Sequence, residues 1–149
     1  MPDATDFQDI LNTPLKDIER PKPYPVGSYI ALVEGLPSFD KVGENQTPCV
    51  DFNLRFLSAN DDVDKLQLVE AGGINGKAIR HRLFLTKDAA WRLKKFLIDD
   101  LQLDDADGTK TPTQVINEAP GRQVMITIRH RPSKDGTVVY SEIAQTAKV

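Results

Sequence analysis

A chain of 149 residues and 16.6 kDa fits one compact domain with a short appendage. Its apolar content of 40% is too high for a wholly disordered protein, and no apolar run approaches the ~18 to 20 residues that a bilayer crossing needs. A formal charge of −3 and a pI of about 5.4 count against a uniformly basic binder of polyanions, and the single cysteine, Cys49, excludes an intrachain disulfide.

Residues 1–25 are expected to form an extended arm, because Pro2, Pro14, Pro21, Pro23 and Pro25 remove backbone donors and fix φ. A domain is expected over residues 26–149. Its first strand is SYIALVEG, begun at Gly27 and stopped by the turn signals Gly35, Pro37 and Gly43. A second strand follows from the alternation of Val50, Phe52, Leu54 and Phe56 with Asp51, Asn53 and Arg55. SANDDVD predicts a polar turn, LQLVE a short edge strand, and EAGGINGK a glycine-rich connection. The run AIRHRLFL predicts a strand with Ile79, Leu83 and Leu85 on one parity and Arg80, Arg82 and Phe84 on the other. Thr86 suits an N-cap, and the spacing of Ala89, Ala90, Leu93, Phe96 and Leu97 predicts a helix from Lys87 to about Asp99. Thr111 and Pro112 suit the start of a shorter helix. RQVMITIRHR and TVVYSEIAQ then read as a closing hairpin about PSKDG. This order predicts a mainly-β fold with one principal helix. Its form is a small antiparallel barrel of the OB type, with five or six strands.

Net charge conceals a segregated distribution. Residues 76–96 carry seven basic side chains against Asp88 alone, and residues 121–135 carry Arg122, Arg129, Arg131 and Lys134 against Asp135. Acid gathers in the N-terminal arm, at Asp61, Asp62 and Asp64, and from Asp99 to Asp107. In three strands the apolar parity defines the inward face, and the opposite parity carries Arg55, then Arg80 and Arg82, then Arg129 and Arg131. A barrel that holds single strands needs cations for phosphates and aromatic faces for bases. Phe84 shares the parity of Arg80 and Arg82, Tyr140 lies in the hairpin partner of Arg129, and Lys77 and Lys134 add charge at strand ends.

Other constellations carry less. His81 and His130 fall on the apolar parity and are expected to be partly buried, with ring nitrogens bonded to backbone carbonyls. Cys49 is expected to fill core. The 104–108 segment fails as a calcium loop, because Leu103 and Gln114 fall where a carboxylate and a bidentate Glu are required. No nucleophile with its base can be assembled, so a non-enzyme without metal or cofactor is expected. The acidic N-terminus, MPDATDFQDI, differs from a basic and then apolar leader, so a cytoplasmic location without membrane contact is expected.

From Pro25 to about Ala144 the chain resembles a phage-encoded family of OB-fold single-stranded DNA-binding proteins and their uncharacterised relatives. Gly76-Lys77 opening a strand, Leu85-Thr86 before the helix and Gly121-Arg122 before the closing hairpin carry the resemblance. It implies binding of single-stranded DNA, with little sequence preference, during phage replication or recombination in the host cytoplasm. Replication or recombination proteins would be further partners, and oligomeric state stays open. Phosphate contacts are expected from Arg55, Lys77, Arg80, Arg82, Arg129, Arg131 and Lys134, and stacking from Phe84 and Tyr140. On this view, replacing Arg80 and Arg82 by Ala weakens binding at little cost in stability. The alternative is a phage structural or adaptor protein that uses barrel and arm for protein contacts.

Overall fold

The computed structural model describes residues 9–17 and 22–149. Of the expected arm, residues 1–8 and 18–21 lie outside the described residues. Six strands, β1 (Gly27–Val33), β2 (Ser38–Val42), β3 (Thr47–Ala59), β4 (Ala78–Phe84), β5 (Gln123–Pro132) and β6 (Val139–Ala147), form one antiparallel sheet in the order β2-β3-β1-β5-β6, with β4 also on β3. The thirteen-residue β3 organises the sheet. Its first half pairs with β2, its second half with β1, and β4 runs along the segment from Cys49 to Arg55. The sheet is not closed into a barrel: among the described residues β4 pairs only with β3 and β6 only with β5.

Alternation fixes the core as expected. Tyr29, Ala31 and Val33 of β1, Val50, Phe52, Leu54 and Phe56 of β3, and Val124, Ile126 and Ile128 of β5 are buried in one cluster. Cys49 is also buried. The loop after β3 closes tightly on the start of β1. A Cβ on Gly27, at φ +142°, would lie 2.7 Å from the Val63 side chain and 3.1 Å from the Asp62 carbonyl oxygen.

Three helices fill the connections: α1 (Lys65–Glu70), α2 (Ala90–Lys94, prolonged by a π-helical turn, Lys95–Asp100) and α3 (Pro112–Ile116). The first corrects the edge strand expected at LQLVE. Asp64 Oδ1 accepts the amides of Leu66 and Gln67 at 3.0 and 3.1 Å, satisfying donors that open a helix. Leu66 and Val69 stay exposed, and only Leu68 packs against the core. The strand β2 occupies a stretch expected to turn. Its residues are almost all exposed, so no burial alternation marks it.

The principal helix starts later than expected. Thr86 still caps the turn, its hydroxyl accepting the Ala89 amide at 3.3 Å and its carbonyl the Ala90 amide at 2.8 Å. At the other end Leu101 N–H bonds Phe96 C=O at 2.9 Å, the wide i to i−5 closure. That extra residue per turn leaves Phe96, Leu97 and Asp100 all buried. Thr111 opens α3 as expected, its amide donating to Gln114 Oε1 at 2.9 Å. No helix among the described residues is long and apolar enough to cross a membrane.

Candidate functional site

Strand register decides which side chains share a surface. Directly opposed residues point to the same face, so Asp51 with Arg82, Asn53 with Arg80 and Arg55 with Ala78 form one outward patch across β3 and β4. On the far side of β1, Arg129 opposes Glu142 and Arg131 opposes Tyr140, giving a second outward patch on β5 and β6. Arg55 stands beside Leu32, near the end of β1, whereas Arg129 lies just past the Gly27 to Ile128 pair at its start. Roughly 20 Å of strand separates these levels at about 3.3 Å per residue. The arginines therefore divide into two outward groups rather than one continuous wall.

Each group is partly neutralised. Arg82 grips Asp51 with Nε at 2.7 Å and Nη2 at 3.0 Å, while Arg80 Nη1 lies 4.0 Å from the same carboxylate. The Arg82 hydrogen bonds hold the Asp51 carboxyl below the usual carboxylate range. Burial opposes this effect, and the charges of Arg82 and Arg80 add to it. Arg55 Nε meets Glu34 at 3.1 Å, and Glu142 takes both Arg129, at 2.5 Å, and Arg131, at 3.7 Å. Five guanidinium groups thus share three carboxylates. Arg80, Arg129 and Arg131 nonetheless remain 63%, 64% and 72% exposed and accessible to a competing anion.

The open seam between β4 and β6 gathers a different subset. Lys77, Ile79, Val139 and Tyr140 line a depression of about 470 Å³ there, together with Lys22 and Tyr24 of the arm. The arm is fastened into it. Tyr24 N–H donates to Ser141 Oγ at 2.7 Å, His130 Nε2 lies 2.7 Å from the Tyr24 carbonyl oxygen, and the Tyr29 hydroxyl donates to the Pro25 carbonyl at 2.7 Å. The Tyr24 ring meets Phe56 at 4.7 Å between centroids. Lys77 Nζ donates to Ala71 C=O at 3.2 Å. Arg131 adjoins the seam as the cross-strand neighbour of Tyr140.

Phe84 is half exposed at the other end of β4, opposite Cys49, and lies outside the depression. Lys134 sits on the exposed β5–β6 turn. Asp135 organises that turn, its carboxyl held down at about 2 by hydrogen bonds from Ser133 and then Thr137.

The two histidines have separate surroundings. His81 packs its ring 4.9 Å from Phe96. His130 reaches the carbonyl of Tyr24 as expected, but it is exposed rather than partly buried, because it lies beyond Ile128, the last buried residue of β5. Near His81, the buried Asp100 accepts Lys95 Nζ at 3.0 and 3.1 Å and the hydroxyl of Thr146, tying the π-helical turn to β6. Among the described residues no group of three or more His, Cys, Asp or Glu is placed to hold a metal ion.

The partner carboxylates Glu34, Asp51 and Glu142 escape a reading by parity. Two of them, Asp51 and Glu142, become partners only through cross-strand register, which alternation along a single strand does not encode. Compared with protein-family models and with curated protein sequences, the chain matches none.

Proposed function

We propose that the chain is a non-enzymatic binder of single-stranded DNA with little sequence preference, acting in phage replication or recombination. The observation that carries this reading is the seam depression, where Lys77, Lys22 and the half-exposed Tyr140 meet beside Arg131. An exposed aromatic flanked by cations offers a base a stacking surface and its phosphates a counter-charge. Strand connectivity supports the finer description as an OB-type barrel left open along one seam: the ladders β1·β3, β3·β4, β1·β5 and β5·β6 follow that order. The carboxylates on the arginines do not forbid binding. Arg129 and Arg131 are 64% and 72% exposed, so a phosphate reaches them in place of Glu142 and makes charge-assisted hydrogen bonds of the same kind.

Anisotropy of a labelled thymidine oligomer tests the proposal at about 50 and about 200 mM salt, where phosphate contacts lose affinity steeply. Weakening by R131A and by K77A supports it. Failure of the chain to shift the oligomer at either salt overturns it. That failure is what the second reading, a phage structural or adaptor protein, requires. The exposed Leu36, just before β2, and the exposed Phe39, within it, favour that alternative.

A further inference from the structure

A second depression, of about 380 Å³, lies between α2 and the connection that leads into α3. Trp91, Leu97 and Ile98 form one wall, and Pro112 and Val115 the other. Trp91 is 58% exposed, with the Arg92 guanidinium 5.3 Å from its ring centroid. Unlike the strand arginines, Lys87, Arg92 and Lys94 have no carboxylate partner among the described residues. The far rim is closer to balance, since Asp105 and Lys110 both line it and Lys110 meets Glu118 at 3.4 Å. The groove is therefore apolar inside, with Lys94 on its lining and with Lys87 and Arg92 close by in sequence against Asp88, a net positive helical edge.

A segment of complementary character exists in the same chain. Residues 3–17 carry Asp3, Asp6, Asp9 and Asp17 against Lys16, interleaved with Phe7, Ile10, Leu11 and Leu15. Ile10, Leu11 and Leu15 are 61%, 81% and 88% exposed, so these three side chains are uncovered within a single copy. Three large apolar residues in sequence proximity, left in water beside acidic side chains, suit an apolar groove with a cationic edge.

We propose that this N-terminal segment docks into the α2 groove of a second copy. Ile10 and Leu11 fill the space beside Trp91, and the aspartates face Lys87, Arg92 and Lys94. Such a contact is heterologous, with different surfaces on the two copies, so it propagates as a ring or an open chain rather than ending in a symmetric pair. The proposal does not depend on the nucleic-acid reading, because neither surface includes a residue of the β4–β6 seam.

Trp91 is the sole tryptophan, so its emission reports the groove in the full-length chain. Raising the protein from about 1 µM to about 1 mM, a span that covers weak and transient contacts, is expected to shift Trp91 emission to the blue as sedimentation shows larger species. I10S/L11S and R92E/K94E, both at exposed positions, are each expected to stay monomeric with unshifted emission. Mixing the two variants is expected to restore one contact, between the intact arm of one and the intact groove of the other, giving a dimer that does not extend. A monomeric wild type over the whole range overturns the proposal. So does a mixture that remains monomeric, or a blue shift independent of concentration, which would place the arm in its own groove. Quenching of Trp91 by a thymidine oligomer, without any concentration-dependent shift, would assign the surface to nucleic acid and overturn it as well.

Discussion

His81 occupies the inward parity of β4, with its ring against Phe96. Burial pushes its pKa down to about 4, even though the nearby Asp100 charge favours the proton. The unfolded chain protonates this imidazole near 6.5 and the folded chain only near 4, so the unfolded state binds more protons between those values. Stability contributed by neutral His81 is complete above about pH 6.5 and is lost as pH falls toward 4, by about 3 kcal/mol at the limit. Thermal melts across that window should show a steep acid-side decline in wild type and a much shallower one in H81F. Parallel declines would mean that the imidazole is already solvated.

Asp51 has the opposite kind of partner and a lower window: its depressed carboxyl contributes above the ordinary carboxylate pKa and is lost only as pH falls through its folded value. D51N leaves Arg82 without a charged acceptor and should cost about 1 to 3 kcal/mol in denaturant unfolding. The same pairing corrects the expectation for Arg80 and Arg82. Replacing both by Ala strands a carboxylate that is 8% exposed, so the thermal midpoint falls and a loss of DNA binding in that variant is ambiguous.

At the scale of elements, legibility followed burial. β1, β3, β4 and β5 were readable because each sets alternate apolar side chains against one core. β6, which packs only Ile143 against it, was readable from the PSKDG turn that returns the chain, and α3 from Thr111 and Pro112. β2 was not, since an edge strand exposed on nearly every residue leaves no period in the sequence. LQLVE misled for a related reason. Leu66 and Leu68 alternate about Gln67 as a strand would, yet the segment buries only Leu68, and the deciding signal was the Asp64 cap. The site was legible by residue type and not by grouping, because register and the seam decide which cations meet. The Gly27 approach, by contrast, rests on loop closure. G27A places a Cβ against Val63 and Asp62 in a left-handed conformation, and should destabilise the fold by about 1 to 3 kcal/mol in chemical unfolding, with the relief greatest when combined with V63A. An unchanged midpoint in G27A would show that the 60–64 loop gives way freely.

For the molecule as a whole, a formal charge of −3 opposes any polyanion at long range, so attraction has to come from local groups whose charge is not already taken. Glu142 is the main internal competitor near the seam, engaging Arg129 and Arg131 together from within the strand that carries Tyr140. If DNA crosses the seam, phosphate must replace that carboxylate, and E142Q removes the competition without removing a cation. The expected outcome is tighter binding of a thymidine oligomer at every salt concentration. The salt dependence should also steepen by up to about 1.4 in log–log slope, the increment for two further phosphate contacts on a single strand. D51N is the internal control, because it frees charge on the separate β3–β4 patch. A gain in E142Q with none in D51N assigns the strand path to the seam. The reverse assigns it to the β3–β4 face, and no gain in either removes both arginine groups from the path.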